Sequence, residues 1–285
     1  MSRLLIVSLA PSLDRYAWLP AMRLGTINRP SSVLVRAGGK GLNAARAAIN
    51  LGVNTRIVAL AGPAFQAVAT DFDIRCVDSG AATRQCLCLL DDAGVLTEVY
   101  EPVLPVQPTV WPAVLEAVAA ELPAADLLAL SGRVPPGLPV SALAELVKLA
   151  HAHRVPVVVD SDGPALAAAV AARPTLIKVN EAEAAAADLS GQQTIITTGA
   201  TGARFGRFAV THEAIPDALP VGSGDAFLAG LAADWLRTGA FDPVTALPFA
   251  AAAARANARH LPAGDITPAM VEAELPAVSV TTLDK

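Results

Sequence analysis

Cysteine is scarce in this 285-residue chain, which holds only Cys76, Cys86 and Cys88. An odd number without paired ligand spacing argues against a disulfide framework or a zinc site and fits a reducing cytoplasm. Runs of like charge are also missing, and 21 basic against 26 acidic side chains leave a net charge of -5. Neither a nucleic-acid footprint nor a polybasic membrane patch is expected from that balance. No uncharged segment reaches the ~18 residues of a membrane span. The apolar run within MSRLLIVSLAPSLD is shorter than a signal core followed by a cleavage site, so it reads as a first buried strand. There is no internal repeat. What is present is 53% hydrophobic content, ample for a packed core, and small-molecule chemistry becomes the class of function to look for.

Short apolar runs alternate with alanine-rich stretches of helical length. RLLIVSL, TRIVAL, DLLALSG, VPVVVD, TLIKVN and TIITTG read as strands buried on both faces, separated for the most part by helices. This pattern predicts an α/β protein whose sheet is mostly parallel and covered on both sides. KGLNAARAAINLG is predicted to end its helix at Gly52, SALAELVKLAHAH to begin with Ser141 as a cap, and DAFLAGLAADWLRTG to stop at Gly239. Residues 15 to 36 and 84 to 101 break the rhythm, because SSVLVR, RQCLCLL and VLTEVYE alternate between apolar and polar. The last two are joined by DDAG, a hairpin signal. A small exposed sheet is expected there, with Cys86 and Cys88 on one strand face as small packing groups.

Four clusters can carry chemistry. In AGGKGLNAARAA, residues 37 to 48, a diglycine enters a helix with Lys40 and Asn43 near its start, where free backbone N-H groups can meet an anionic or hydroxylated ligand. The spacing matches neither a Walker A loop nor the dinucleotide fingerprint, and a flexible turn capping a helix is an equal reading. In IKVNEAEAAA, Asn180 and Glu183 share one face of a first helical turn, suited to orienting water around magnesium and phosphate, or simply to closing a capping box. TIITTGATGA runs from a strand into a glycine loop. In VGSGDAFLAG, Gly222, Ser223 and Gly224 precede Asp225 at the start of a long apolar helix. Consecutive N-H groups there can cradle an anion beside a carboxylate able to take a proton from a hydroxyl, although Asp225 can also merely complement the helix dipole.

Taken in order, GGKGLN, NEAE, TTGATGA and GSGDAF resemble the PfkB (ribokinase-like) carbohydrate kinases over nearly the whole chain. SLAPSLD, GTINRPSSVLVRAGGKGLNAARA, TRQCLCLLDDAGVLTEVYEP and LSGRVPPGLP are most similar to the branch that phosphorylates sugar phosphates, which includes the 1-phosphofructokinases, tagatose-6-phosphate kinases and minor 6-phosphofructokinases. The resemblance implies a three-layer α/β/α ribokinase-like fold, a single domain over 1–285 with a small β-sheet lid at about 13–36 and 84–101. It implies ATP and Mg²⁺ as cofactors, a sugar phosphate as substrate, a homodimer formed through the lid, and a cytoplasmic enzyme. Asp225 would be the catalytic base, with the Gly222, Ser223, Gly224 and Asp225 backbone as anion hole. Asp14, Gly38, Gly39 and Asn43 would contact sugar hydroxyls, and Lys40, Arg29 and Arg84 the substrate's existing phosphate. Lys178, Asn180 and Glu183 would serve the phosphate and magnesium end of the ATP site, the last two through water. Thr197, Gly199 and Gly202 would form the nucleotide loop, with Asn257 near adenine.

The chain departs from that pattern at Ala10, where asparagine is common, at Arg133, where a small residue is usual, and in short segments at 62 to 71 and 189 to 195. Fructose 1-phosphate is the first expected substrate. The alternatives are tagatose 6-phosphate, fructose 6-phosphate, an unphosphorylated sugar or nucleoside, and a non-catalytic ligand sensor. An NAD-dependent Rossmann enzyme is ranked last, because the glycine fingerprint after the first strand is missing.

Overall fold

The computed structural model describes residues 2–282. The chain opens with β1 (Arg3–Ser8), β2 (Ser12–Leu19), β3 (Ser32–Gly38), α1 (Lys40–Asn50), β4 (Asn54–Ala61), α2 (Pro63–Gln66), β5 (Ile74–Asp78), β6 (Gln85–Asp91) and β7 (Leu96–Tyr100). It continues with α3 (Trp111–Glu121), β8 (Leu127–Ser131), α4 (Ala142–Ala152), β9 (Val157–Asp160), α5 (Gly163–Ala171), β10 (Leu176–Asn180), α6 (Glu181–Ala185) and β11 (Thr194–Thr197). It closes with β12 (Gly202–Phe205), β13 (Phe208–Thr211), α7 (Ser223–Thr238), α8 (Pro243–Asn257), α9 (Pro268–Glu274) and β14 (Ser279–Thr282).

The large sheet runs β14-β13-β12-β11-β10-β9-β8-β1-β4-β5. From β5 to β11 every pairing is parallel, and β12, β13 and β14 add antiparallel edge strands. The six apolar runs predicted as buried strands are β1, β4, β8, β9, β10 and β11. Their side chains alternate between two cores, one beneath α1, α7 and α8 and the other beneath α3, α4 and α5. Leu4 and Ile6 of β1 enter the first, Leu5 and Val7 the second. That division is why these strands read as continuous apolar runs rather than alternating ones.

The two segments that break the rhythm form a second, four-stranded sheet in the order β3-β2-β6-β7. The DDAG signal is the turn between β6 and β7, where Asp91 Oδ1 accepts from the N-H groups of Ala93 and Val95 at 3.1 and 2.9 Å. Arg36 of β3 ties this sheet to the loop after α8, donating to both Asp265 oxygens at 2.9 Å while its guanidinium lies over the Tyr16 ring.

Helix ends follow the sequence with one difference. α1 gives way to Gly52 at φ 85° and α7 to Gly239 at φ 83°. Ser141 occupies the N-cap of α4, but its hydroxyl donates to Glu145 Oε1 at 2.6 Å instead of accepting from the helix backbone. Among the described residues, no helix is long and apolar enough to cross a membrane.

Candidate active site

β1 pairs with β4 on one side and β8 on the other, so the chain's winding reverses there, and open α/β sheets gather ligands beyond the carboxyl ends of strands at such a point. A cleft of about 490 Å³ lies in that place, large enough for a nucleotide-sized ligand. The smaller sheet contributes Ser12, Asp14, Arg84, Cys86 and Tyr100 to its wall.

Asp225 sits in the first turn of α7, 6% exposed, and its Oδ2 accepts from Asn43 Nδ2 at 3.0 Å. Burial first, and then the neighbouring Asp160 charge, push its carboxyl up to about 7, against the opposing pull of Lys40, Asn43 and Lys178. Gly222 caps the helix at φ 75°, and a Cβ there would fall 2.5 Å from the Ala263 Cβ, so both conformation and space require glycine. Ser223 N-H donates to the Pro220 carbonyl and Asp225 N-H to the Gly222 carbonyl, each at 3.0 Å. Among the described residues the N-H groups of Gly222 and Gly224 find no acceptor, which narrows the predicted four-residue cradle to two free donors.

Facing Asp225 is a charge cluster built from four elements, β9, β10, α1 and α6. Lys178 of β10 donates to Asp160 Oδ2 at 2.9 Å, and Lys40 of α1 lies 3.4 Å from Asp160 Oδ1 and 3.5 Å from Glu183 Oε1. Burial works against the Asp160 charge, but Lys178 and Lys40 outweigh it and hold the carboxyl below the usual carboxylate range. Asp160 in turn raises the Lys40 ammonium above its ordinary value, helped by Glu183 and Asp225 and opposed by burial. Glu183 and Asn180 do close a capping box, with Glu183 N-H to Asn180 Oδ1 at 2.8 Å and Asn180 N-H to Glu183 Oε2 at 2.9 Å. Capping and ligand reach coexist, because Glu183 Oε1 still points to Lys40 across the cleft.

On the smaller sheet, Asp14 accepts from Ser12 Oγ at 2.5 Å, and burial raises its pKa. Gly38 packs against it so closely that a Cβ would fall 2.0 Å from Asp14 Oδ2. Arg84, just before β6, lines the cleft, and its buried Nε has no partner among the described residues. Thr197, Gly199 and Gly202 line the opposite end, the Thr197 hydroxyl donating to the Val179 carbonyl at 3.3 Å.

The cleft thus gathers Asp14, Gly39, Lys40, Asn43, Arg84, Lys178, Asn180, Glu183, Thr197, Gly199, Gly202 and Gly222 to Asp225, with Gly38 behind Asp14. Two residues of the expected set stand apart from the cleft of this chain. Arg29 lies exposed in the loop between β2 and β3 and does not line the cleft, since that irregular segment carries it clear of the sheet. Asn257 is fully buried behind the glycine loop. Its Nδ2 donates to the Val221 carbonyl at 2.7 Å and to Ser223 Oγ at 3.2 Å, and its Oδ1 accepts from Gly264 N-H at 2.8 Å, which leaves nothing for a base.

Two residues of the site, Asp160 behind the lysines and Arg255 on the cleft wall, are not singled out by the sequence. Asp160 ends an apolar strand with no motif around it. Arg255 sits in an alanine-rich helix, 6% exposed, its Nε donating to Glu274 Oε2 at 2.9 Å.

Comparison with known proteins gives a consistent pattern. The model of the pfkB family carbohydrate kinases matches residues 8–270. A 1-phosphofructokinase from Rhodobacter capsulatus is 32% identical over 264 residues, covering 80% of this chain and 82% of that protein. A possible 1-phosphofructokinase from Thermotoga maritima superposes with a TM-score of 0.89 at 21% identity, covering 99% of this chain and 100% of that one. Phosphofructokinase-2 from Escherichia coli, solved in complex with potassium, superposes with a TM-score of 0.84 at 23% identity, over 97% of this chain and 99% of the other.

Proposed function

This chain belongs to the pfkB family of carbohydrate kinases, and we propose that it transfers the γ-phosphoryl group of ATP to the free primary hydroxyl of fructose 1-phosphate, giving fructose 1,6-bisphosphate. It is an ATP-dependent carbohydrate kinase. The observation that carries the mechanism is Asp225: a buried carboxyl at a helix start, oriented by Asn43, beside two free glycine N-H groups and across from two lysines. The 1-phosphofructokinase relative supports the choice of sugar.

In this reading Asp14, Gly39 and Asn43 hold the sugar hydroxyls, and Lys40 and Arg84 take the phosphate it already carries. Asp225 accepts the proton of the attacking hydroxyl, its raised pKa making it a stronger base than an exposed aspartate. The N-H groups of Gly222 and Gly224, with Lys178, face the charge that builds on the transferred phosphoryl. Thr197, Gly199 and Gly202 form the nucleotide wall. Asn257 acts from behind, fixing Val221 and Ser223 so that the glycine N-H groups stay aimed.

The donor set near Lys178 is made of hard oxygens, which suits magnesium. Among the described residues no three acidic, histidine or cysteine side chains gather into an ion cage. That fits a magnesium ion arriving with the nucleotide and keeping most of its water and phosphate ligands, with Glu183 and Asn180 reaching it through water. Bound there, the ion neutralises phosphate charge. The smaller sheet acts as the lid, excluding water so that ATP is not hydrolysed, and two copies pair through its outer face. The test is ADP release measured against fructose 1-phosphate, fructose 6-phosphate, tagatose 6-phosphate and free sugars. Fastest release with fructose 1-phosphate is expected; release only with an unphosphorylated sugar or nucleoside, or ATP binding without turnover across the panel, overturns the assignment.

A further inference from the structure

The end of the cleft away from Asp225 is a slot between α8 and the 212–220 loop. Ala251, Ala254 and Ala258 line one side, spaced along one helix face, and Ile215 and Ala218 the other. Alanines there leave room for a flat ring. Arg255 and His212 line the cleft as well.

Arg255 is held rigidly. Nε is fixed by Glu274, and Nη1 donates to the Glu213 carbonyl at 2.5 Å and to His212 Nδ1 at 3.1 Å. Nη2 has no acceptor among the described residues and is not sealed from solvent, so its two N-H groups remain for a ligand. Burial and Arg255 draw His212 below its ordinary pKa, which keeps the ring neutral. Its Nδ1 lies 3.1 Å from Arg255 Nη1 and 3.2 Å from the Glu213 carbonyl, and these two contacts call for opposite tautomers of the ring. Arg255 therefore brings fixed guanidinium donors to the wall of the cleft.

We propose that Arg255 is a specificity-determining residue that reads the nucleotide base, donating from Nη2 to the acceptor edge of a purine, so that 6-oxopurine triphosphates such as GTP and ITP are bound as well as ATP. A purine 6-oxo group beside N7 is the acceptor pair that guanidinium donors fit, and the N7 of adenine is a single acceptor for the same donors. The inference rests on reading this end as the nucleotide subsite. No step of phosphoryl transfer depends on it.

Calorimetric titration of the whole protein with the magnesium complexes of ATP, GTP, ITP and inorganic tripolyphosphate tests it. In the unsubstituted protein, GTP and ITP are expected to bind within about tenfold of ATP. In Arg255→Met all three are expected to weaken by about tenfold or more while tripolyphosphate binds unchanged. Unchanged ATP, GTP and ITP affinities in that variant overturn the inference alone, leaving the kinase reading intact. Binding of neither ATP nor tripolyphosphate by the unsubstituted protein overturns both. Should Arg255→Met fail to fold, because Glu274 loses its buried partner, the unsubstituted protein decides. GTP and ITP binding within tenfold of ATP supports the inference, and binding weaker by more than that overturns it.

Discussion

Asp225 holds a carboxyl where an apolar helix start and a second carboxylate both resist its ionisation, and that conflict is measurable in two ways. A base pushed up to about 7 is lost as the pH falls through that value, so kcat/KM is expected to drop about tenfold per pH unit below neutrality. Asp225→Asn, which keeps the shape and the Asn43 contact, is expected to lower kcat by about 10²- to 10⁴-fold with the circular dichroism spectrum unchanged. Stability has the opposite sign. The folded state binds the Asp225 proton more tightly than the unfolded chain, whose reference value is 3.8. The contribution of this group to stability is therefore full below about pH 4 and is lost as pH rises through about 7. Thermal melts should accordingly show Asp225→Asn gaining most over the unsubstituted protein at pH 8 and little at or below pH 4. A variant that phosphorylates at the normal rate removes Asp225 from the mechanism.

Among the elements, α7 and α8 do the most to place the site. α7 presents Asp225 and the glycine N-H groups, and α8 supplies the slot alanines and Arg255. Their crossing is close because of Gly230, whose added Cβ would lie 2.9 Å from both Ala250 Cα and Ala253 Cβ. Gly230→Leu is expected to force the helices apart, costing about 1–3 kcal/mol or more in urea unfolding, and to weaken nucleotide binding together with stability. This scale also shows what the sequence could reveal. The buried strands, the three helix ends and the DDAG hairpin were legible because each is set by local periodicity or turn chemistry. GSGDAF was legible because its glycines and carboxylate are contiguous. Asp160 was not, since its meaning comes from Lys40, 120 residues away, and from Lys178 on the neighbouring strand. Asn257 was mistaken for a base contact because a buried asparagine near a ligand looks the same in sequence whether it faces the ligand or the backbone behind it. Arg29 is hard to place for a related reason: a basic residue in an irregular loop has no period to say which way it points.

At the scale of the whole molecule, the smaller sheet has an outer face that the chain itself leaves uncovered. Val33, Val35 and Val99 on that face are 46%, 38% and 53% exposed, and the pairing places Val33 beside Ala17, Val99 beside Leu87 and Val35 beside Arg15. An apolar sheet face of this kind marks an interaction surface, which is the observation behind pairing through the lid. Val35→Asp is expected to turn a dimer into a monomer in sedimentation velocity, and an unsubstituted protein that sediments as a monomer refutes the pairing. The cluster at the cleft's centre has a consequence of another kind. Asp160 is one counter-ion shared by Lys40 and Lys178, which the proposed function assigns to the sugar side and the phosphoryl-donor side. A phosphate that draws Lys40 away leaves Asp160 wholly to Lys178, and the reverse holds for a phosphate at Lys178. The two substrates therefore sense each other through a single carboxylate, and the influence must be reciprocal. Saturating fructose 1-phosphate should change the dissociation constant of a non-hydrolysable ATP analogue by about fivefold or more, ATP should act equally on the sugar, and Asp160→Asn should make the two binding events independent.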